Sequence, residues 1–125
     1  MTYLADTHAI IWFLQNSPAL SANVGAILSD RSTLVAASVV SIYEVDYKIA
    51  RGQLGRLPLS FSDLLAGMGF NMISVTARHT ALAASLDLTY RDPWDRIIAA
   101  QAISEGVTVL TRDPALQALG ATVLW

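Results

Sequence analysis

The sequence has no cysteine, which excludes disulfides and thiolate metal sites. It has two histidines, His8 and His79, too few for a histidine-rich zinc centre. Charged side chains are only 14% of the 125 residues, and the net charge of −2 lacks the basic excess that usually advertises nucleic-acid binding. No apolar run approaches the roughly 18–20 residues of a transmembrane helix. The opening Met1–Asp6 has neither a basic n-region nor a signal-peptide core. No repeat, low-complexity tract or linker divides the chain, so one domain over residues 1–125 is expected, large enough for a real core. What is abundant is apolar: 54% of the residues are hydrophobic, rich for a small domain. The expectation is a soluble cytoplasmic protein, with no membrane association and with an apolar surface kept for a partner.

Strand-like and helix-like segments alternate. Thr2–Ala5, Thr33–Ala37, Asn71–Val75, Val107–Leu110 and Ala121–Leu124 read as short strands. Thr7–Leu14, Ser21–Asp30, Ser41–Ala50, Phe61–Met68 and Pro114–Leu119 read as helices, with Val24, Ile27 and Leu28 on one face of the second. Thr76 is placed to cap a helix through Leu86. Asp92-Pro93 starts another, by a capping acid followed by proline at the first helical position, and Gly106 ends it after Glu105. This alternation predicts an α/β fold, a central, mainly parallel sheet flanked by helices on both faces. In such sheets the site lies at the carboxyl ends of the strands.

Against so low a charge content, four acids stand beside apolar stretches: Asp6, Glu44, Asp95 and Asp113. Asp6 and Asp113 fall at the carboxyl ends of strands, and Glu44 and Asp95 about one turn into helices. Each has a structural explanation. Asp6 and Asp113 can cap helices, Ser41-Ile42-Tyr43-Glu44 matches a capping box, and Asp95 suits the helix dipole. Four caps at one sheet edge are a less economical account than a shared site. Two carboxylates about 4 Å apart repel by about 4 kcal/mol at an effective dielectric near 20. A divalent cation removes that cost, and with oxygen ligands only, Mg²⁺ or Mn²⁺ is expected rather than Zn²⁺. Such an ion activates water and neutralises charge on a phosphodiester. Thr7, Ser41 and Thr111 are candidates to orient the carboxylates; Ser38 is better read as a cap. Lys48, Arg51 and Arg56 form the densest basic patch, and Lys48, Arg51, Arg96 and Arg112 are candidate phosphate contacts. His8 is read as packed or half-exposed rather than as a proton relay, and His79 is given no role.

Four segments carry a resemblance. These are Asp6-Thr7-His8-Ala9-Ile10-Ile11-Trp12, Ser38-Val39-Val40-Ser41-Ile42-Tyr43-Glu44, Arg91-Asp92-Pro93-Trp94-Asp95-Arg96-Ile97-Ile98-Ala99-Ala100-Gln101-Ala102, and Thr111-Arg112-Asp113. The chain resembles, over nearly its whole length, a PIN-domain ribonuclease of the VapC toxin type. Tyr90, where many relatives have histidine, and Trp94, where phenylalanine is usual, depart from the pattern without removing an acid. The resemblance implies a PIN-like fold and a Mg²⁺ site of Asp6, Glu44, Asp95 and Asp113, with Asp92 a possible extra. It implies cleavage of RNA as the toxin of a toxin–antitoxin pair, a cognate antitoxin as partner, and a homodimer. The alternative is a catalytically inactive PIN-like protein-binding module. A phosphatase of the haloacid dehalogenase type is disfavoured, because His8 stands where its second aspartate belongs.

Overall fold

The computed structural model describes residues 2–125. Among them are five strands and seven helices. β1 (Tyr3–Ala5) leads through α1 (Thr7–Leu14) and α2 (Ala22–Ser29) to β2 (Val35–Ser38). From there α3 (Val39–Ala50) and α4 (Phe61–Gly67) lead to β3 (Asn71–Ile73). The chain returns through α5 (Ala77–Ser85) and α6 (Pro93–Glu105) to β4 (Thr108–Leu110), then through α7 (Pro114–Ala118) to β5 (Val123–Leu124). The sheet order is β3-β2-β1-β4-β5, and all four pairings are parallel.

Strand periodicity divides the core into two layers. Leu4, Ala36 and Val109 point to one face, where α6 and α7 supply Ile98, Ala99, Ala102 and Leu116. Ala5, Val35, Ala37 and Leu110, each one residue away, point to the other, where α1 to α4 supply Ile10, Val24, Val45, Phe61 and Leu65. The two layers follow from the strand order. Right-handed crossovers that step outward from β1 to β3 put their helices on one face, and those that step the other way put theirs on the opposite face. Direction reverses between the adjacent strands β1 and β4, so the connections leaving their carboxyl ends diverge and open a crevice.

Helix ends follow local chemistry. α3 begins two residues earlier than the hydroxyl pattern suggests, because Ser38 both ends β2 and caps α3, accepting from the Val40 amide at 3.1 Å. This overturns the capping-box reading of Ser41 and Glu44: both lie inside the helix, and Ser41 is fully buried. α6 has the expected bounds, with Asp92 accepting from the amides of Trp94 and Asp95. It stops at Gly106, whose φ of 66° is left-handed, a conformation glycine adopts without a Cβ penalty. β3 is shorter than expected, ending at Ile73 rather than Val75; it is an edge strand with Asn71 and Met72 exposed.

Candidate functional site

The four acids leave the sheet and its helices at the crevice between β1 and β4. Asp6 directly follows β1 and caps α1. Its Oδ1 accepts from the Thr7 amide at 2.8 Å and its Oδ2 from the Thr111 hydroxyl at 2.8 Å. Thr111 follows β4, and the same hydroxyl oxygen accepts from the Asp113 amide at 3.0 Å. One threonine therefore ties the first acid to the backbone of the last. Asp113 caps α7 through the Ala115 amide.

Glu44 is reached through the other threonine. The Thr7 hydroxyl donates its single proton to Glu44 Oε1 at 2.9 Å, so the 2.8 Å contact between Thr7 Oγ1 and Ser41 Oγ must use the serine proton. Ser41 thus orients Thr7, and Thr7 orients Glu44. Thr7 serves two acids, its amide holding Asp6 and its hydroxyl Glu44. All three small hydroxyls expected near the acids touch them directly or through one another, and all three are buried.

Asp95 lies in the first turn of α6 and completes the edge. Its carboxyl is pushed up to about 7, first by burial and then by the charges of Asp92, Asp113, Asp6 and Glu44. That coupling places all five acids in one electrostatic field. Asp6 is also raised, because burial outweighs the hydrogen bonds from Thr111 and Thr7. The cation in direct contact with these carboxylates is Lys48, 2.8 Å from Glu44 Oε2. Asp92 is exposed and engaged as a helix cap through Oδ1. Among the described residues no group of three or more acidic or histidine side chains already surrounds one point as a ligand cage. The residues fit a divalent cation by charge and by donor type, hard oxygens under mutual repulsion.

The candidate phosphate contacts divide. Arg112 is exposed at the crevice, its guanidinium 4.3 Å above the Trp12 ring. Lys48 is an ion-pair partner of Glu44, and Arg51 folds onto Tyr47, bonding its hydroxyl at 3.0 Å. Arg96 corrects the expectation. Its two terminal nitrogens donate to the carbonyls of Asp87, Tyr90, Ala83 and Leu86 at 2.6–2.8 Å, so it binds the α5–α6 connection rather than a phosphate. His79, given no role from sequence, closes a capping box with Thr76 and contacts Glu105 at 3.3 Å.

Two hollows differ in chemistry. One of about 490 Å³ lies at the far end of the sheet, beside Val35, Asp30 and Phe70, away from the acids. The other, about 360 Å³, opens on the acids themselves and is walled by Asp6, His8, Trp12, Arg112, Asp113 and Trp125. The sequence pattern did not single out Trp12 or Trp125 for this position. The i, i+4 spacing of His8 and Trp12 behind Asp6 was the signal available.

The family model described as "PIN domain" matches residues 3–121. No curated protein matches the chain. Among solved structures, VapBC2 from Rickettsia felis bound to a DNA fragment from its promoter aligns at a TM-score of 0.73 and 17% identity, over 100% of this chain and 99% of the other. FitAcB from Neisseria gonorrhoeae aligns at 0.69 and 26%, over 99% and 97%. A toxin–antitoxin complex from Klebsiella pneumoniae aligns at 0.69 and 20%, also over 99% and 97%.

Proposed function

We propose that this chain, which belongs to the PIN domain family, is a divalent-metal-dependent endoribonuclease and the toxin of a toxin–antitoxin pair. The observation that carries the reading is the shared field at Asp95, where burial first, and then the charges of neighbouring Asp92 and of Asp113, Asp6 and Glu44 from three other segments, push one carboxyl up to about 7. Five acids against the one lysine paired with Glu44 leave an excess of negative charge at the sheet's switch point that lowers stability, and a cation is the simple reason to gather it there.

In this reading Asp6, Glu44, Asp95 and Asp113 hold Mg²⁺ or Mn²⁺, with Asp92 at the rim as a possible fifth donor. The ion would neutralise charge on the phosphodiester and make water a better nucleophile. The chain's own residues do the rest. Thr111 and the Thr7 amide fix Asp6. The Ser41–Thr7 relay fixes Glu44. Lys48 is a built-in counterion that limits repulsion on Glu44, and Arg112 is an exposed cation lining the hollow beside Asp6 and Asp113. The likeness to a solved toxin–antitoxin complex supports an antitoxin partner for this chain. A homodimer and a cytoplasmic location belong to the same proposal; among the described residues no helix is long and apolar enough to cross a membrane.

One observation favours the alternative, a PIN-like module that binds protein without catalysis: the acids do not already form a cage. The two readings separate on a pool of total RNA incubated with Mg²⁺, Mn²⁺ or EDTA, beside Asp95→Asn. Discrete metal-dependent products that vanish in the variant are expected. Absence of cleavage, together with no rise in melting temperature on adding either ion, would leave only the binding module.

A further inference from the structure

Seven of the chain's eight basic residues are arginine, and Lys48 is the only lysine. It stands against the acid edge, its Nζ 2.8 Å from Glu44 Oε2. A glutamate four residues before a lysine is a common pair on helix surfaces and stabilises them slightly. This pair is not an ordinary one. The Glu44 side chain is mostly covered, 12% exposed against 32% for Lys48, so its charge depends on partners more than a solvated one does. Its other oxygen is taken, Oε1 accepting from the Thr7 hydroxyl at 2.9 Å. An arginine would grip the carboxylate through a planar fork of two bonds, whereas the Lys48 ammonium makes one bond to it. Of the two basic side chains, the ammonium is closer in its point-like charge to the ion that the acids fit.

We propose that Lys48 is a tethered, displaceable cation: it occupies Glu44 while the acid edge has no metal ion and yields that oxygen when a divalent ion binds. The inference rests on the metal-dependent reading above. Electrostatics give the direction. The acids attract the ammonium and a divalent ion alike, but two cations sharing one carboxylate repel each other strongly at that range. Lys48 therefore relieves the empty edge and at the same time weakens its hold on metal, so that metal affinity is set by exchange rather than by filling. Its flexible four-carbon stem and its half-buried position let the Nζ withdraw without moving α3. Once withdrawn, the ammonium is a free cation beside the acids, in place to meet a phosphate. Arg51 cannot stand in for it, because its guanidinium is folded onto Tyr47 and bonds that hydroxyl at 3.0 Å. Lys48 is thus a positioning residue that acts through Glu44, and its i, i+4 spacing serves the exchange as well as the helix.

The test is calorimetric titration of the full-length protein with Mn²⁺, beside Lys48→Met and Lys48→Arg. Lys48→Met is expected to bind the ion roughly tenfold tighter or more, while its metal-free melting temperature falls. Lys48→Arg keeps the charge and is expected to stay within about threefold of the parent protein. Unchanged or weaker binding by Lys48→Met would overturn the exchange and leave Lys48 a static helix pair. A second readout uses the unaltered chain. Because the sequence has one lysine, acylation at limiting reagent, read by mass spectrometry against the N-terminal amine, reports on Lys48 alone. Saturating Mg²⁺ is expected to raise its rate severalfold. A rate unchanged or lowered by Mg²⁺ would overturn the withdrawal, even if Lys48→Met were too unstable to titrate. Binding of Mn²⁺ that is indifferent to position 48 would sink the exchange and keep the metal site, whereas no binding of either ion by any of these proteins would remove both.

Discussion

Asp95 and Arg96 are neighbours in the first turns of α6, yet the fold treats them in opposite ways. Asp95 faces the crevice, where burial and four other acids push it up to about 7. Arg96 faces the α5–α6 connection, where four backbone carbonyls accept from its terminal nitrogens. One charge is left short of partners and the other is oversupplied. A charged group short of partners lowers stability, and it persists where something outside the chain completes it. A charged group fully met by backbone completes the chain itself: it satisfies carbonyls left over where α5 ends and before α6 begins. In the proposed reading the acid edge is therefore the functional region and the arginine hub the structural one, although both charges come from adjacent residues at the same polar helix start.

The sharpest way to break that contrast is to remove each charge in turn. Asp95→Asn is expected to lower metal-dependent cleavage by on the order of a thousandfold, while the metal-free melting temperature stays level or rises. Cleavage within a fewfold of the parent protein would sink the role given to Asp95. Arg96→Leu should do the reverse. It leaves several charge-assisted bonds unmade and is expected to cost about 2–3 kcal/mol in urea unfolding. Cleavage per folded molecule should be unchanged. A purely catalytic loss in that variant, with no change of midpoint, would return Arg96 to the phosphate contacts.

The acid edge also predicts how stability responds to pH without metal. The folded carboxyl of Asp95 titrates at about 7, against an ordinary value of 3.8. Between those values the folded chain holds a proton that the unfolded chain has lost, so stability falls as pH rises across that window. Asp6, raised by burial, adds to the same slope. In EDTA the melting temperature should drop by a few degrees from pH 5 to pH 8. Asp95→Asn should flatten that decline. An undiminished slope in the variant would mean that Asp95 does not carry the strain.

Much of this was legible in the sequence, for reasons that differ by residue. The α/β alternation and the bounds of α1 and α6 could be read because their signals are local: Asp6 and Asp92 as caps, Pro93 at the first position, Gly106 at the end. The candidate acids could be named because charge is scarce in this chain and the strands point them to one edge. Whether they share ligands cannot be read from spacing, and the folded chain brings them into one field without a finished cage. Ser38 is a cap as the sequence suggests, but the competing capping box at Ser41 fails because β2 runs straight into α3 and leaves Ser41 inside the helix. Arg96 was misread because its partners are backbone carbonyls, which every sequence has and none advertises. Trp12 and Trp125 meet across 113 positions of chain (125 − 12), a pairing that only the β1–β4–β5 neighbourhood creates.

His79 supplies the gentlest test of the contrast, because it belongs to the structural region yet is a residue type usually searched for chemistry. It is 3% exposed. Its Nδ1 accepts from the Thr76 amide at 3.1 Å, while its own amide donates to the Thr76 hydroxyl at 3.2 Å. That is a reciprocal cap at the start of α5, with histidine in the place glutamate usually takes. Nδ1 acts as an acceptor, so the ring proton sits on Nε2, which then donates to Glu105 at 3.3 Å and links α5 to the end of α6. The consequence is mechanical. The two helices that Arg96 binds at one end are joined at the other by a neutral ring. His79→Ala is expected to cost about 1 kcal/mol, the usual scale of a lost cap, with cleavage and metal response unchanged. His79→Gln keeps an acceptor near the Thr76 amide and should recover part of that loss. A fall in cleavage larger than the loss of folded protein would instead place His79 with the acids and erase the division between the two regions.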